Sequence, residues 1–259
     1  MDEITSLNNE LVKTTAKLLQ KKYRDETGLF LIEGQKACEE ALSKGIALKH
    51  VFINKNNTAL AEQYKNADIH IVDEKILHKL SDTKSAPPII AVAGQLENNI
   101  NKIPQKNSAI LILENIKDAG NLGTIIRTAC AFGMDGIVLC GESVDIYSPK
   151  VVRSSVGYLF SLPFYKAKSI DEIKKYFALH KFLATSLDKT LNPQVLENVD
   201  LRTPVAFMFG SEAEGLSDKL LQFADIYVTI PMEKAVESLN LSISTGVVLY
   251  EYSRQRYNR

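Results

Sequence analysis

Near the C-terminus an apolar stretch, Asp225-Ile-Tyr-Val-Thr-Ile230, stops at Pro231 and gives way to a short polar loop. A helix then opens on Ser238-Leu239-Asn240 and continues apolar to Tyr252. A strand, a loop and polar groups at a helix start are the layout of a ligand site in an α/β protein. Two other segments share the arrangement, Phe207-Met-Phe-Gly-Ser-Glu-Ala-Glu-Gly-Leu216 and the run from Leu111 to Arg127 that contains Gly120-Asn-Leu-Gly123. Between and around them, strands are predicted at 109–113, 136–140, 162–165, 181–186, 204–209 and 225–230. Helices are predicted at about 121–132, 149–159, 169–179, 216–223 and 238–254. Such alternation requires a mainly parallel sheet covered on both faces, with ligands beyond the carboxyl ends of its strands.

The first 95 residues read as a separate α/β unit. A helix is predicted over 5–22 and another over 33–44. Strands are predicted at 29–32, 51–53, 69–72 and 89–93, with Asp73 capping a helix through Leu80. The polar stretch from Gln95 to Ser108, with Asn98, Asn99, Asn101 and Pro104, is the best linker candidate. The predicted organisation is therefore a small domain at 1–97, a linker at 98–108 and a larger domain at 109–259.

Composition narrows the function. No stretch of about 18 apolar residues exists to span a membrane, and the N-terminus lacks the pattern of a secretory signal. Cys38, Cys130 and Cys140 are too few and too scattered for a disulfide framework or a zinc cluster. They read as small apolar residues in a reducing cytoplasm. His50, His70, His78 and His180 show no ligand spacing, so no metal is indicated, and no nucleophile–histidine–acid set supports hydrolase chemistry. The formal net charge is zero, so any face that meets nucleic acid must be local. The candidates are Lys13, Lys17, Lys21, Lys22 and Arg24, which come with no acid between them, and the tail arginines 254, 256 and 259. The same residues also read as solvated helix faces and ends.

Each motif alone is ambiguous. Gly120-Asn-Leu-Gly123 is neither a dinucleotide fingerprint nor a phosphate loop. Arg127 is either a surface cation or a group facing an anion or a reacting hydroxyl, and a cation in the first turns of a helix opposes the helix dipole. Glu212 and Glu214 lie in a glycine-flanked loop suited to a cation, a ribose or an amino group. Arg153-Ser-Ser-Val-Gly157 begins a helix that is either plainly capped or phosphate-binding.

Together the motifs are far more specific. The chain resembles the SpoU (TrmH) family of RNA ribose 2′-O-methyltransferases, within the SPOUT class. The resemblance rests on Asn121-Leu-Gly123 with Arg127-Thr-Ala129, on Gly210-Ser-Glu212 with Glu214-Gly-Leu216, and on Ile230-Pro-Met232 with Ser238-Leu-Asn240. The N-terminal part, from Gly28-Leu-Phe-Leu-Ile-Glu-Gly34 onward, looks like the small substrate-binding domain found ahead of many members. It departs from that pattern at Pro87-Pro88, where a Gln-Gly is expected.

The resemblance implies a small α/β RNA-binding domain followed by an α/β domain with a C-terminal trefoil knot. It implies a cytoplasmic homodimer whose sites lie near the partner subunit, with S-adenosylmethionine as cofactor, bound through main-chain groups at Gly210, Ile230 and Leu239. Arg127 is then the hydroxyl activator, oriented by Asn121, Glu212, Ser238 and Asn240. A guanidinium is effectively always charged, which favours an orienting and charge-stabilising role over a literal base. RNA contacts fall to Lys13, Lys17, Lys21, Lys22, Arg24 and Arg153. The added N-terminal domain points to large-subunit ribosomal RNA. The alternatives are a transfer-RNA methyltransferase and a non-catalytic RNA-binding or ribosome assembly factor of the same fold.

Overall fold

The computed structural model of the protein describes residues 2–202 and 204–257. Its chain divides into two units, one of residues up to Glu97 together with Asp145–Ser161, the other of Asn98–Val144 and the residues from Leu162 on.

The first unit holds strands β1 (Asp2–Ile4), β2 (Leu29–Glu33), β3 (Leu48–Asn54), β4 (Asp68–Val72) and β5 (Ile89–Gly94). They form a mixed sheet in the order β1-β4-β3-β5-β2, in which only β5 runs antiparallel to its neighbours. Helices α1 (Glu10–Lys17), α2 (Lys21–Thr27), α3 (Gln35–Ser43) and α4 (Glu74–Leu80) accompany it. The Asp73 carboxylate caps α4 by accepting from Ile76 N–H at 3.0 Å. In place of the single helix expected over 5–22 there are two. The Asn9 side chain caps α1 late, accepting from the Leu11 and Val12 amides. The Arg24 guanidinium then takes the carbonyls of Leu18 and Leu19, so α1 ends there.

The second unit is built on seven strands: β6 (Ala109–Glu114), β7 (Gly136–Cys140), β8 (Phe164–Lys166), β9 (Lys181–Thr185), β10 (Gln194–Val195), β11 (Val205–Phe209) and β12 (Ile226–Thr229). The order is β10-β12-β9-β11-β6-β7-β8 and every pair is parallel. Strands β6, β7 and β11 are buried at every position. That is why they read as unbroken apolar runs rather than alternating ones. Its helices are α5 (Ala119–Ala131), α7 (Ile170–Tyr176), α8 (Asp218–Leu221) and α9 (Leu241–Tyr257), while α6 (Pro149–Ser155) belongs to the first unit, where it packs on β2.

Several predicted boundaries move. Helix α9 starts at Leu241 rather than 238, because the Asn240 side chain caps it through the Ser242 and Ile243 amides. Helix α8 is a single turn entered through a Ser217 cap. The stretch expected as a linker packs on the second unit: Ile103 is fully buried in its core, and Asn98 exchanges hydrogen bonds with the backbone of Lys166. The chain first passes from one unit to the other after Glu97. Asp145–Ser161, expected in the larger domain, packs with the first unit instead.

Buried histidines set a pH limit. His180 is buried with Nε2 2.9 Å from Ser108 Oγ, and its Nδ1 has no partner among the described residues. Burial holds its pKa below the ordinary value, although Asp135 pulls upward. His70 is lowered too, by burial and then by His50. The unfolded chain takes up protons near pH 6.5 that the folded imidazoles refuse, so stability is full above about 6.5 and is lost as pH falls below it. Chemical denaturation should show a lower midpoint at pH 5.5 than at 7.5, and His180→Gln should flatten that dependence. An unchanged dependence in the variant would remove His180 from the account.

Candidate active site

Three neighbouring parallel strands, β12, β9 and β11, end side by side in the second unit. Beyond their carboxyl ends lies a cleft of about 480 Å³. Its walls come from Thr185–Asp188 after β9, from Phe209–Leu216 after β11, and from Ile230, Met232, Ser238 and Leu239 after β12. Of the eight residues expected from sequence to serve catalysis or the cofactor, five line it, Gly210, Glu212, Ile230, Ser238 and Leu239, while Asn121, Arg127 and Asn240 do not.

The loop after β11 is held tightly on itself. Ser211 and Gly215 exchange backbone hydrogen bonds at 3.1 and 2.9 Å, and Gly215 turns the chain at φ +70°. A Cβ at Gly210 would overlap the Gly215 carbonyl and the Leu216 amide nitrogen. Gly210 is therefore required by the loop's own closure, a different reason from the ligand approach that a glycine in this place suggests.

At the rim, one side-chain amide joins three loops. Asn121 Nδ2 donates to Glu212 Oε1, and Asn121 Oδ1 accepts from Asn240 Nδ2 at 3.0 Å. Asn121 is set by the Asp118 carboxylate, which caps α5 through the Asn121 amide at 2.8 Å. Three of the four predicted partners of Arg127 thus bond to one another, while Ser238 lines the cleft. Arg127 lies exposed on α5, six residues past Asn121, about 9 Å along the axis and on another side of the helix. Among the described residues nothing hydrogen-bonds or ion-pairs with it.

Sequence reasoning missed two contributors. The loop Thr185–Asp188, with Leu191, forms a wall of the cleft but carries no recognisable motif. The Asp188 carboxyl there is held below its usual range by the hydroxyl and then the amide of Thr190. Glu114, at the end of β6, is 4% exposed and accepts from the Ser217 amide at 2.7 Å and hydroxyl at 2.8 Å. A lone carboxylate closing a five-residue apolar run, Ala109–Leu113, was the available signal.

Two of the predicted RNA contacts are corrected. Arg24 is 3% exposed, and its guanidinium bonds Asp145 at 2.8 Å as well as the carbonyls of Leu18 and Leu19. Arg153 pairs with Glu33 at 2.9 Å and Asp82 at 2.5 Å. It serves as counter-ion to a buried carboxylate whose pKa burial raises. Lys13, Lys17, Lys21 and Lys22 are exposed, but Lys21 pairs with Asp25 and Lys22 with Glu26. Arg259 lies outside the described residues.

The family model of the SpoU rRNA methylases matches residues 108–250, and that of the MRM3-like substrate-binding domain matches residues 9–91. An uncharacterised tRNA/rRNA methyltransferase of Synechocystis is 36% identical, covering 98% of this chain and 94% of its own. The 23S rRNA (guanosine(2553)-2′-O)-methyltransferase of Bacillus subtilis is 28% identical, covering 96% and 98%. The AdoMet-bound rRNA methyltransferase of Sinorhizobium meliloti superposes with a TM-score of 0.88 at 32% identity, over 97% of both chains. An all-parallel sheet with its cleft beyond the strand ends, matched over its whole length, defines a methyltransferase of the SPOUT class. The chain belongs to the SpoU rRNA methylase family. It is an RNA ribose 2′-O-methyltransferase whose methyl donor is S-adenosylmethionine.

The cleft fits that cofactor. Its volume suits a ligand of this size, with apolar surface at Leu187, Phe209, Ile230 and Leu239. Among the described residues its lining includes the carboxylates of Asp188, Glu212, Glu214 and Asp218 and no lysine, arginine or histidine. A sulfonium carrying one net positive charge meets complementary charge there. When bound, the cofactor supplies an electrophilic methyl group.

Two outcomes follow from this geometry. Gly210→Ala should abolish S-adenosylmethionine binding in calorimetry as fully as Gly210→Val, because even one methyl group opens the loop. Binding by the alanine variant at native affinity would contradict the closure described. Arg24→Ala should destabilise the protein by about 3 kcal/mol, since it leaves the largely buried Asp145 carboxylate without its partner. A thermal midpoint within a degree of the parent would return Arg24 to the surface.

Proposed function

We propose that the chain methylates a ribose 2′-hydroxyl in large-subunit ribosomal RNA, acting as a cytoplasmic homodimer whose C-terminal segment forms a trefoil knot. The observation that carries this reading is the Asn121 amide linking Glu212 and Asn240 at the rim of the cofactor cleft. It orders the polar groups of three loops beside the place where the methyl group is presented. The matched substrate-binding domain and the ribosomal substrate of the Bacillus subtilis relative support the choice of RNA.

The attacking hydroxyl must lose its proton as the methyl group moves, and in-line placement supplies much of the rate. Glu212, Asn121, Ser238 and Asn240 position the ribose. Arg127 orients the hydroxyl or an adjoining phosphate and offsets developing negative charge. It is not among the residues that line the cleft, and it has no partner among the described residues, which suits a group that acts on RNA rather than on the cofactor. Dimerisation is supported by α9, which is apolar on two sides. Leu241, Val248, Leu249 and Tyr252 are buried, while Ile243, Val247, Tyr250 and Tyr257 form an exposed stripe. A second copy covering that stripe would bring its own surface near α5, on which α9 packs.

Arg127→Ala should retain cofactor affinity and lose roughly a hundredfold or more in single-turnover methylation of ribosomal RNA fragments. Arg127→Lys should also be slow, because an ammonium lacks the planar fork. Near-native rates for the alanine variant would leave the arginine without a catalytic part. Mapping 2′-O-methylation in ribosomal and transfer RNA from cells with and without the protein tests the substrate. A missing mark confined to transfer RNA would overturn it.

RNA docking is assigned to the exposed lysines of the first unit. Lys13 and Lys17 have no acidic partner among the described residues. Replacing both with alanine should weaken RNA binding and flatten its salt dependence by roughly 0.7–0.9 for each phosphate no longer neutralised. Identical affinities and slopes would move recognition elsewhere.

A further inference from the structure

Glu114 is a costly residue in its position. A carboxylate buried to this degree, with two hydrogen bonds and no cationic partner among the described residues, carries a desolvation penalty that an apolar side chain of similar volume would not. Both of its bonds go to one residue, Ser217, and Ser217 ends the loop that begins at Gly210. The near end of that loop is fixed by the Ser211–Gly215 pairing. Its middle is tied to Asn121 through Glu212. Its far end has Glu114, and the residues on either side of Ser217, Leu216 and Asp218, both line the cleft.

We propose that Glu114 is a positioning residue for the cofactor: by gripping the amide and hydroxyl of Ser217 it sets the depth of the loop against which S-adenosylmethionine binds. Strand β6 is central and buried throughout, so its end is a rigid post. The loop itself has few apolar contacts of its own, being exposed from Glu212 to Gly215. A two-point hydrogen bond to a fixed carboxylate restrains both translation and rotation of the Ser217 peptide. The inference rests on the cleft being the cofactor site.

Three substitutions separate position from charge. Glu114→Gln keeps the length. Its carbonyl accepts from the Ser217 amide, and its NH2 donates to the Ser217 hydroxyl oxygen. Glu114→Asp keeps the charge but falls one methylene short of both groups. Glu114→Ala removes the grip. Calorimetry with S-adenosylmethionine should show the native protein and the glutamine variant within roughly threefold of each other. The aspartate and alanine variants should be weaker by roughly tenfold or more, the loss expected when charge-assisted hydrogen bonds are broken. In steady state the loss should fall on KM for the cofactor, with KM for RNA unchanged and kcat at saturating cofactor within roughly twofold of native. A general structural defect would instead lower the active fraction, and kcat with it. Should the alanine variant fail to fold, the aspartate and glutamine pair still decides. Native affinity in the aspartate variant overturns the proposal. So does a glutamine variant as weak as the aspartate one, which would make the charge itself the active property. Failure of the native protein to bind S-adenosylmethionine would instead overturn the cofactor assignment, a result distinct from equal binding by all four proteins.

Discussion

The arrangement of the site depends on one primary amide. Asn121 offers a donor to Glu212 and an acceptor to Asn240, residues 91 and 119 positions away in the chain. This needs a side chain that both donates and accepts, and the orientation of the amide is dictated because a carboxylate accepts and cannot donate. Asn240 in turn caps α9 with the oxygen it does not share with Asn121. A loop contact and a helix start are thus parts of one chain of hydrogen bonds, and neither can shift without the other.

Most of the second unit was legible in the sequence, because a central parallel strand must be apolar on both faces and its periodicity breaks sharply at each loop. β7 fell at its predicted bounds, and the remaining strands moved by one or two residues. The short β1 and β10 were not legible, since two or three residues carry no period. The broken N-terminal helix was not legible either. Arg24 folds back on the carbonyls of Leu18 and Leu19, just past α1, and nothing in the local sequence of residues 5–22 signals that.

For the site, the legible part was the set of loops with unusual residue types at fixed spacing. Arg24 and Arg153 were misread for one reason: local sequence shows a cation but not the acid that meets it. Asp145 is 121 positions from Arg24, and Glu33 is 120 from Arg153. The wall at Thr185–Asp188 escaped notice because it acts through shape and one ordinary aspartate. A net charge of zero concealed an uneven distribution, in which acids line the cleft while Lys13 and Lys17 on α1 have no acidic partner among the described residues.

The grouping of Asp145–Ser161 with the first unit has a consequence for how the molecule comes apart. The polypeptide passes between the two units three times, after Glu97, after Val144 and after Ser161. A protease that nicks the chain near residue 97 therefore releases nothing. The N-terminal fragment stays clasped around Arg24–Asp145 and Arg153–Glu33, and liberating either unit takes at least three cuts.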